Sequence, residues 1–376
     1  MDSLTDYILW MSDFPFSATG FREADAIVLC TLSYFDLSPV FSGGVKEAKV
    51  KDCQKMIDDG NVQVEITGKA DGYLEILEAA VRSRRFGDLL MTNYADILCD
   101  DPPVQFSAVC FHDDADLSFI AYRGTDNSLA GWREDCMISF TKSKAQEMAQ
   151  DYAERLITPG RKWLMGGHSK GGNQVIYAAC MLPDDKLECV EHIFCLDGPG
   201  LCPEVMDLSI MERIDAKTTR IIPEFSVIGK LFEPKITDTR IIQSSESGMM
   251  QHSIASWEID HGKLAAAEDN SSASKWINEV MDRWIGNITR EDRVVFVDEL
   301  FTALESGGSR TLDDLTDDGL EDAERLFPQF KNFSETTKHI LSDLAKQAVK
   351  NSFLPFLFKK DKDKEKEKEK EEEVQI

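Results

Sequence analysis

The feature that most constrains the fold is an apolar run that breaks into glycines. Trp163-Leu164-Met165-Gly166 reads as a short buried strand and runs straight into Gly167-His168-Ser169-Lys170-Gly171-Gly172. The stretch that follows carries Val175, Ile176, Ala179 and Cys180 at helical spacing. A strand joined to a helix this closely needs a sharp turn. Side chains beside Ser169 would collide with neighbouring backbone, which accounts for the flanking glycines, and the serine itself takes a strained conformation. A G-x-S-x-G turn in that setting holds a hydroxyl at a helix N-terminus, next to backbone N–H groups and the positive end of the helix dipole. The plain alternative is a glycine-rich turn capped by a serine. A phosphate-binding P-loop fits less well, because the order G-x-x-x-x-G-K-[ST] is missing.

Strands and helices alternate around this turn. Gln105 to Phe111 and Leu117 to Tyr122 read as strands joined by the polar turn 112–116, and 143–157 reads as a helix. Cys189 to Leu196 is the next strand and ends at Asp197-Gly198-Pro199-Gly200. Further strands fit Arg220–Val227 and Arg240–Gln243. This order predicts an α/β fold with a mostly parallel central sheet. Upstream, helices are expected at 4–12 and 21–35 and from Asp71 through Val81, with an exposed insertion and a hairpin at 43–70. Pro102-Pro103 ends the segment before the first strand. After about residue 263 the spacing turns helical, at 274–286, 289–305, 316–326 and 334–349, with Thr289 and Asp292 placed to cap the second. From Lys359 to Glu373 lysines alternate with acids, as in a solvated, disordered or frayed tail. The expected organisation is a body over 1–262 that includes the N-terminal helices, a helical region over 263–350, and a charged tail over 351–376.

Charge narrows the partners. The 376 residues include 68 acidic and 42 basic side chains, a net −26. That argues against nucleic acid, which needs a basic face, and against broad docking on anionic lipid. The apolar stretch Ser352 to Phe358 before Lys359-Lys360 fits contact with lipid, but such a patch more often docks on its own protein. Nine cysteines, an odd number without C-x-x-C or zinc spacing, read as buried small side chains in a reducing compartment. The first residues lack a signal-peptide pattern, and no stretch reaches about 18 apolar residues. The expectation is a cytoplasmic protein with no transmembrane segment, no metal and no organic cofactor.

Two polar motifs precede the serine, Ala121-Tyr122-Arg123-Gly124-Thr125-Asp126 and Gly131-Trp132-Arg133-Glu134-Asp135. An oxyanion hole draws one donor from a loop other than the nucleophile's own. Thr125 offers its backbone N–H and its hydroxyl, and the N–H of Lys170 would be the second donor. The alternative for 123–126 is a polar turn held by an Arg–Asp pair; Trp132 reads as packing.

Together with Gly167 to Asn173, Asp197 to Gly200, and Gln251-His252-Ser253 with Trp257, these motifs resemble the bacterial Mbeg-like family of lipase-like proteins. That family is similar in turn to the class 3, fungal-type lipases. The resemblance runs from about residue 4 to 350 and is most specific over 105–257. It implies an α/β-hydrolase fold with N-terminal helices and a C-terminal helical appendage. It also implies serine-dependent cleavage of an ester or thioester, with a small acyl or lipid-like substrate. The family order is Ser, acid, His. His112 and His168 come too early, His192 falls within the strand before Asp197, and His339 lies in the C-terminal helical region. His252 and His261 remain. His252 matches the Gln-His motif, whereas His261 reads as a turn contact. For the acid, class 3 lipases use a later segment that corresponds here to Pro223 to Gly229, with Ser226 in the acid's place. Asp197, at the end of the strand after the nucleophile's helix, is the better candidate, and Glu224 is the other. The expected machinery is Ser169, His252 and Asp197, with Thr125 and Lys170 as the oxyanion hole. The competing class is a catalytically silent α/β-hydrolase scaffold that serves as a binding protein.

Overall fold

A computed structural model describes residues 1–66, 71–100, 103–125, 133–134, 137–138, 141–269, 288–306 and 333–350. Eight strands form one sheet in which spatial order equals chain order. They are β1 (Glu47–Lys49), β2 (Leu90–Asp100), β3 (Pro103–His112), β4 (Leu117–Tyr122), β5 (Lys162–His168), β6 (Val190–Leu196), β7 (Thr218–Pro223) and β8 (Asp238–Ile242). β1 to β4 pair antiparallel and β4 to β8 pair parallel.

Sequential order dictates where helices can go. Right-handed crossovers between successive parallel strands deliver their helices to one face of the sheet. Accordingly α4 (Lys144–Leu156) and α5 (Lys170–Met181) share a face, where Ala149, Tyr152 and Val175 pack with Cys110, Ile120, Met165 and Ile193. The opposite face needs cover from outside the crossovers. The N-terminal helices α1 (Leu4–Met11), α2 (Glu23–Leu32) and α3 (Asp71–Arg82) provide it. Ile8, Ile27, Val28 and Leu77 pack there with Val109, Phe111, Phe119, Leu164 and Phe194. The two-residue period sorts β4 between these layers, with Phe119 and Ala121 on one side and Ile120 and Tyr122 on the other. A buried ion pair ties the N-terminal layer together. Arg85 reaches Asp25 at 2.5 Å and also donates to the carbonyls of Phe14 and Gly20.

Two stretches depart from the expectation. No local hairpin forms among the described residues of 43–70. β1 instead hydrogen-bonds across to Leu90–Thr92, completing an edge that β2 leaves open. β2 itself was not expected. Its ladder breaks between Thr92 and Ala95, where Asn93 takes a φ of 54°, and this bulge spoils the alternation that marks a strand.

The C-terminal helices at 289–305 and 334–349 appear as α6 (Arg290–Ser306) and α7 (Glu335–Lys350). The Thr289 hydroxyl accepts the Asp292 N–H at 3.2 Å and caps α6. Phe296, Val297, Phe301 and Ile340 pack together with Cys202 of the loop after β6. The segments expected at 274–286 and 316–326 and the tail 351–376 lie outside the described residues. Residues 263–267 stay attached to the sheet: the Gln243 N–H donates to the Ala265 carbonyl and the Ala267 N–H to that of Ile241. No helix among the described residues is long and apolar enough to cross a membrane.

Candidate active site

Ser169 sits between β5 and α5 with φ 57° and ψ −125°. This positive φ is the strain expected of the turn. The glycines have the steric role read from the sequence. A Cβ on Gly167 would lie 2.1 Å from the Gly171 carbonyl oxygen, and one on Gly171 would lie 2.2 Å from that of Tyr122. The Ser169 N–H donates to the Leu196 carbonyl at 2.9 Å, which pins the turn to the end of β6.

Asp197 follows β6 immediately and is fully buried. His252 ends a short helical turn, Gly248–His252, in the segment after β8. The structure brings these three together. His252 Nε2 lies 2.9 Å from Ser169 Oγ, and His252 Nδ1 lies 2.6 Å from Asp197 Oδ2. An ionised carboxylate only accepts, so Nδ1 carries the proton and Nε2 is left to accept from the serine hydroxyl. The His252 loop is held from both sides: Gln251 accepts the Phe225 N–H at 2.8 Å, and Trp257 Nε1 donates to the Gln251 carbonyl at 2.9 Å.

Glu224 is not brought to the histidine in this way. Its N–H donates to the Ile242 carbonyl, while both ring nitrogens of His252 are engaged by Ser169 and Asp197. Ser226 has a different place from the one its position suggests: its hydroxyl donates to Asp197 Oδ1 at 2.5 Å. Gly229 lies over this pair, since a Cβ there would come 2.3 Å from Asp197 Oδ1. His261 is exposed and pairs with its neighbour Asp260.

His168 supports the site from beneath. A carbonyl only accepts, so His168 Nε2 donates to the His252 carbonyl at 2.8 Å. Nδ1 therefore accepts from the Tyr34 hydroxyl at 2.7 Å. Its ring lies 4.7 Å from that of His252. Burial, with the neighbouring His252, holds the His168 pKa well below 6.5, so the ring is neutral.

On the other side of Ser169, the loop after β4 passes close by. A Cβ on Gly124 would come 3.1 Å from Ser169 Cβ and 2.0 Å from Tyr34 Oη, and Thr125 is buried directly after it. Arg123 pairs with Asp96 of β2 at 2.8 Å. Asp126, Gly131, Trp132 and Asp135 lie outside the described residues. The Lys170 side chain, which the sequence left without a role, is fully buried. Its ammonium donates to Glu134 at 2.7 Å and to Gln105 at 2.8 Å. Arg133 pairs with Asp298 of α6. Among the described residues, no group of three or more His, Cys, Asp or Glu is placed to hold a metal. A cavity of about 1100 Å³ opens at the opposite end of the strands, near Lys162, His192 and Asp238, away from Ser169.

Tyr34, Gln105 and Ser226 were missed as members of the site. Ser226 had a signal only as the residue in the acid's place, and Glu134 only as part of the Gly-Trp-Arg-Glu-Asp motif.

The mostly parallel sheet, its crossovers and the strained serine turn define an α/β-hydrolase fold. A profile of the Mbeg1-like family matches residues 80–302, and the chain belongs to that family. No curated protein matches it. Among solved structures it is similar to the M37 lipase, with 14% identity and a TM-score of 0.34 over 56% of this chain and 69% of that one. It is also similar to a fungal lipase in complex with an inhibitor, with 13% identity and a TM-score of 0.34 over 58% of this chain and 78% of that one.

Proposed function

We propose that this protein is a serine hydrolase that cleaves an ester or thioester of a small acyl or lipid-like substrate through an acyl-enzyme. The observation that carries the reading is the unbroken pair of hydrogen bonds from Ser169 through His252 to Asp197, at 2.9 and 2.6 Å. Ser169 Oγ attacks the carbonyl carbon as His252 Nε2 takes the hydroxyl proton, and the carbonyl π pair moves onto oxygen. Asp197 keeps Nδ1 protonated and faces the imidazolium that forms. The backbone N–H groups of Thr125 and Lys170 receive the oxyanion. His252 then gives its proton to the departing alkoxide or thiolate. Water enters by the same steps, breaks the acyl–Oγ bond and restores Ser169. A cytoplasmic setting is part of the proposal, supported by six cysteines that are buried as small side chains.

A fluorophosphonate probe and a panel of acyl esters of graded chain length test this. The wild-type protein should be labelled on Ser169 and hydrolyse part of the panel. Ser169→Ala should abolish both with little change in melting temperature, since it deletes one hydroxyl. A folded wild type that neither labels nor hydrolyses would support the silent scaffold instead, and full activity in Ser169→Ala would sink the mechanism.

A further inference from the structure

The proposed oxyanion donors sit on two separate segments, yet one buried side chain touches both. Gln105 is the third residue of β3 and is buried. Its Oε1 accepts the Lys170 ammonium at 2.8 Å, and its Nε2 donates to the Gly124 carbonyl at 3.5 Å. Lys170 can only donate, which fixes the orientation of the amide. The Gly124 carbonyl and the Thr125 N–H belong to the same planar trans peptide, so they point in opposite directions. A hand on that carbonyl therefore aims that N–H. The other contact of Gln105 ends on the side chain of Lys170, whose own N–H is the second donor.

Behind Gln105 stands Glu134. One oxygen, Oε2, accepts the Lys170 ammonium at 2.7 Å and the Gln105 N–H at 2.9 Å. The other, Oε1, accepts the Ala145 N–H of α4 at 3.3 Å. A buried cation is expensive unless paired and hydrogen-bonded, so Lys170 has little freedom to let go.

We propose that Gln105, braced by Lys170 and Glu134, is the positioning residue of the oxyanion hole, setting the direction of the Thr125 N–H through the Gly124 carbonyl. This rests on the hydrolase reading above. Gln105 touches no reacting atom; it acts on the aim of a donor. Removing one such donor costs about 10²–10³ in kcat, so misaiming it should cost about 10-fold or somewhat more.

Two substitutions of similar volume test it. In Gln105→Glu the new carboxyl keeps the Lys170 contact but donates to Gly124 only when protonated. Its kcat, taken per serine that a fluorophosphonate labels, should fall about 10-fold at pH 8 with KM within about two-fold. The ratio of variant to wild-type kcat should climb as pH falls. Gln105→Met can never donate, so its ratio should stay low and flat across pH. Counting only labelled sites removes unfolded protein from the comparison. Wild-type kcat in both variants, or an equal loss at every pH in both, overturns the positioning role and leaves Gln105 as packing. A wild type that does not label at all overturns the hydrolase reading, and this proposal with it.

Discussion

The two sides of Ser169 are built in opposite ways. On the acid side, Asp197, Ser226 and His252 come from the segments after β6, β7 and β8, linked by single hydrogen bonds between side chains. The His252 side chain is 26% exposed. On the other side, Gln105, Glu134 and Lys170 form a cluster sealed from water around a full ion pair. The difference follows from what each side is proposed to do. A group that must gain and lose a proton in every cycle works best where its charged form is partly solvated and faces a carboxylate. Groups that only aim backbone donors never change charge. They can be held by a buried pair whose geometry is hard to deform.

The sharpest way to break this comparison is to disarm the acid side. Asp197→Asn should lower kcat by at least about 10², since the amide neither fixes the His252 tautomer nor faces the imidazolium. His252→Ala should be at least as damaging. Glu224→Gln should cost less than about 10-fold. Steady-state kcat on one ester, with a thermal melt on each variant, measures this. A crippled Glu224→Gln beside a mild Asp197→Asn would move the acid to the β7 segment.

A smaller effect sharpens the same side. Ser226→Ala removes a donor from Asp197 Oδ1 and leaves more of the carboxylate's charge facing His252. It also takes away an anchor of Asp197, so the His252 ring is oriented less firmly. The loss in kcat at the optimum should be only several-fold, smaller than for Asp197→Asn. An unchanged kcat would make Ser226 a packing contact.

Which side could be read in the sequence follows from how each is encoded. The serine turn, the strand that ends at Asp197 and the Gln251-His252 segment are local patterns, and chain order separated His252 from the earlier histidines. The brace is not local. Gln105 and Lys170 are 65 residues apart, and Tyr34 and His168 are 134 apart. No spacing rule brings such pairs together before the sheet does. Ser226 was the subtler case. It was legible as the place where an acid is missing, but not as a donor to the acid on the neighbouring strand. β2 was lost for another reason, because a bulge at Asn93 breaks the period by which strands are recognised.

The smallest expected effect concerns His168, which lies under the acid side but is as buried as the brace. Burial holds its pKa well below 6.5 in the folded chain. As pH falls below 6.5, the unfolded chain takes up this proton more readily than the folded chain does, so stability must fall with pH in that window. His112, pushed down to about 4 by burial, and His192, also lowered by burial, act in the same direction. The slope for one such histidine cannot exceed about 1.4 kcal/mol per pH unit. Carboxylates of this acidic chain respond in the same range, so the absolute trend mixes several groups. A difference isolates His168. In His168→Gln the amide N–H₂ can still donate to the His252 carbonyl and its oxygen can accept from Tyr34, but nothing there titrates. Between pH 7 and pH 5.5 the wild type should lose roughly 2 °C more in Tm than His168→Gln. Parallel Tm curves for the two proteins would mean that His168 keeps an ordinary pKa. The tautomer that carries the His252 loop would then not be fixed by burial.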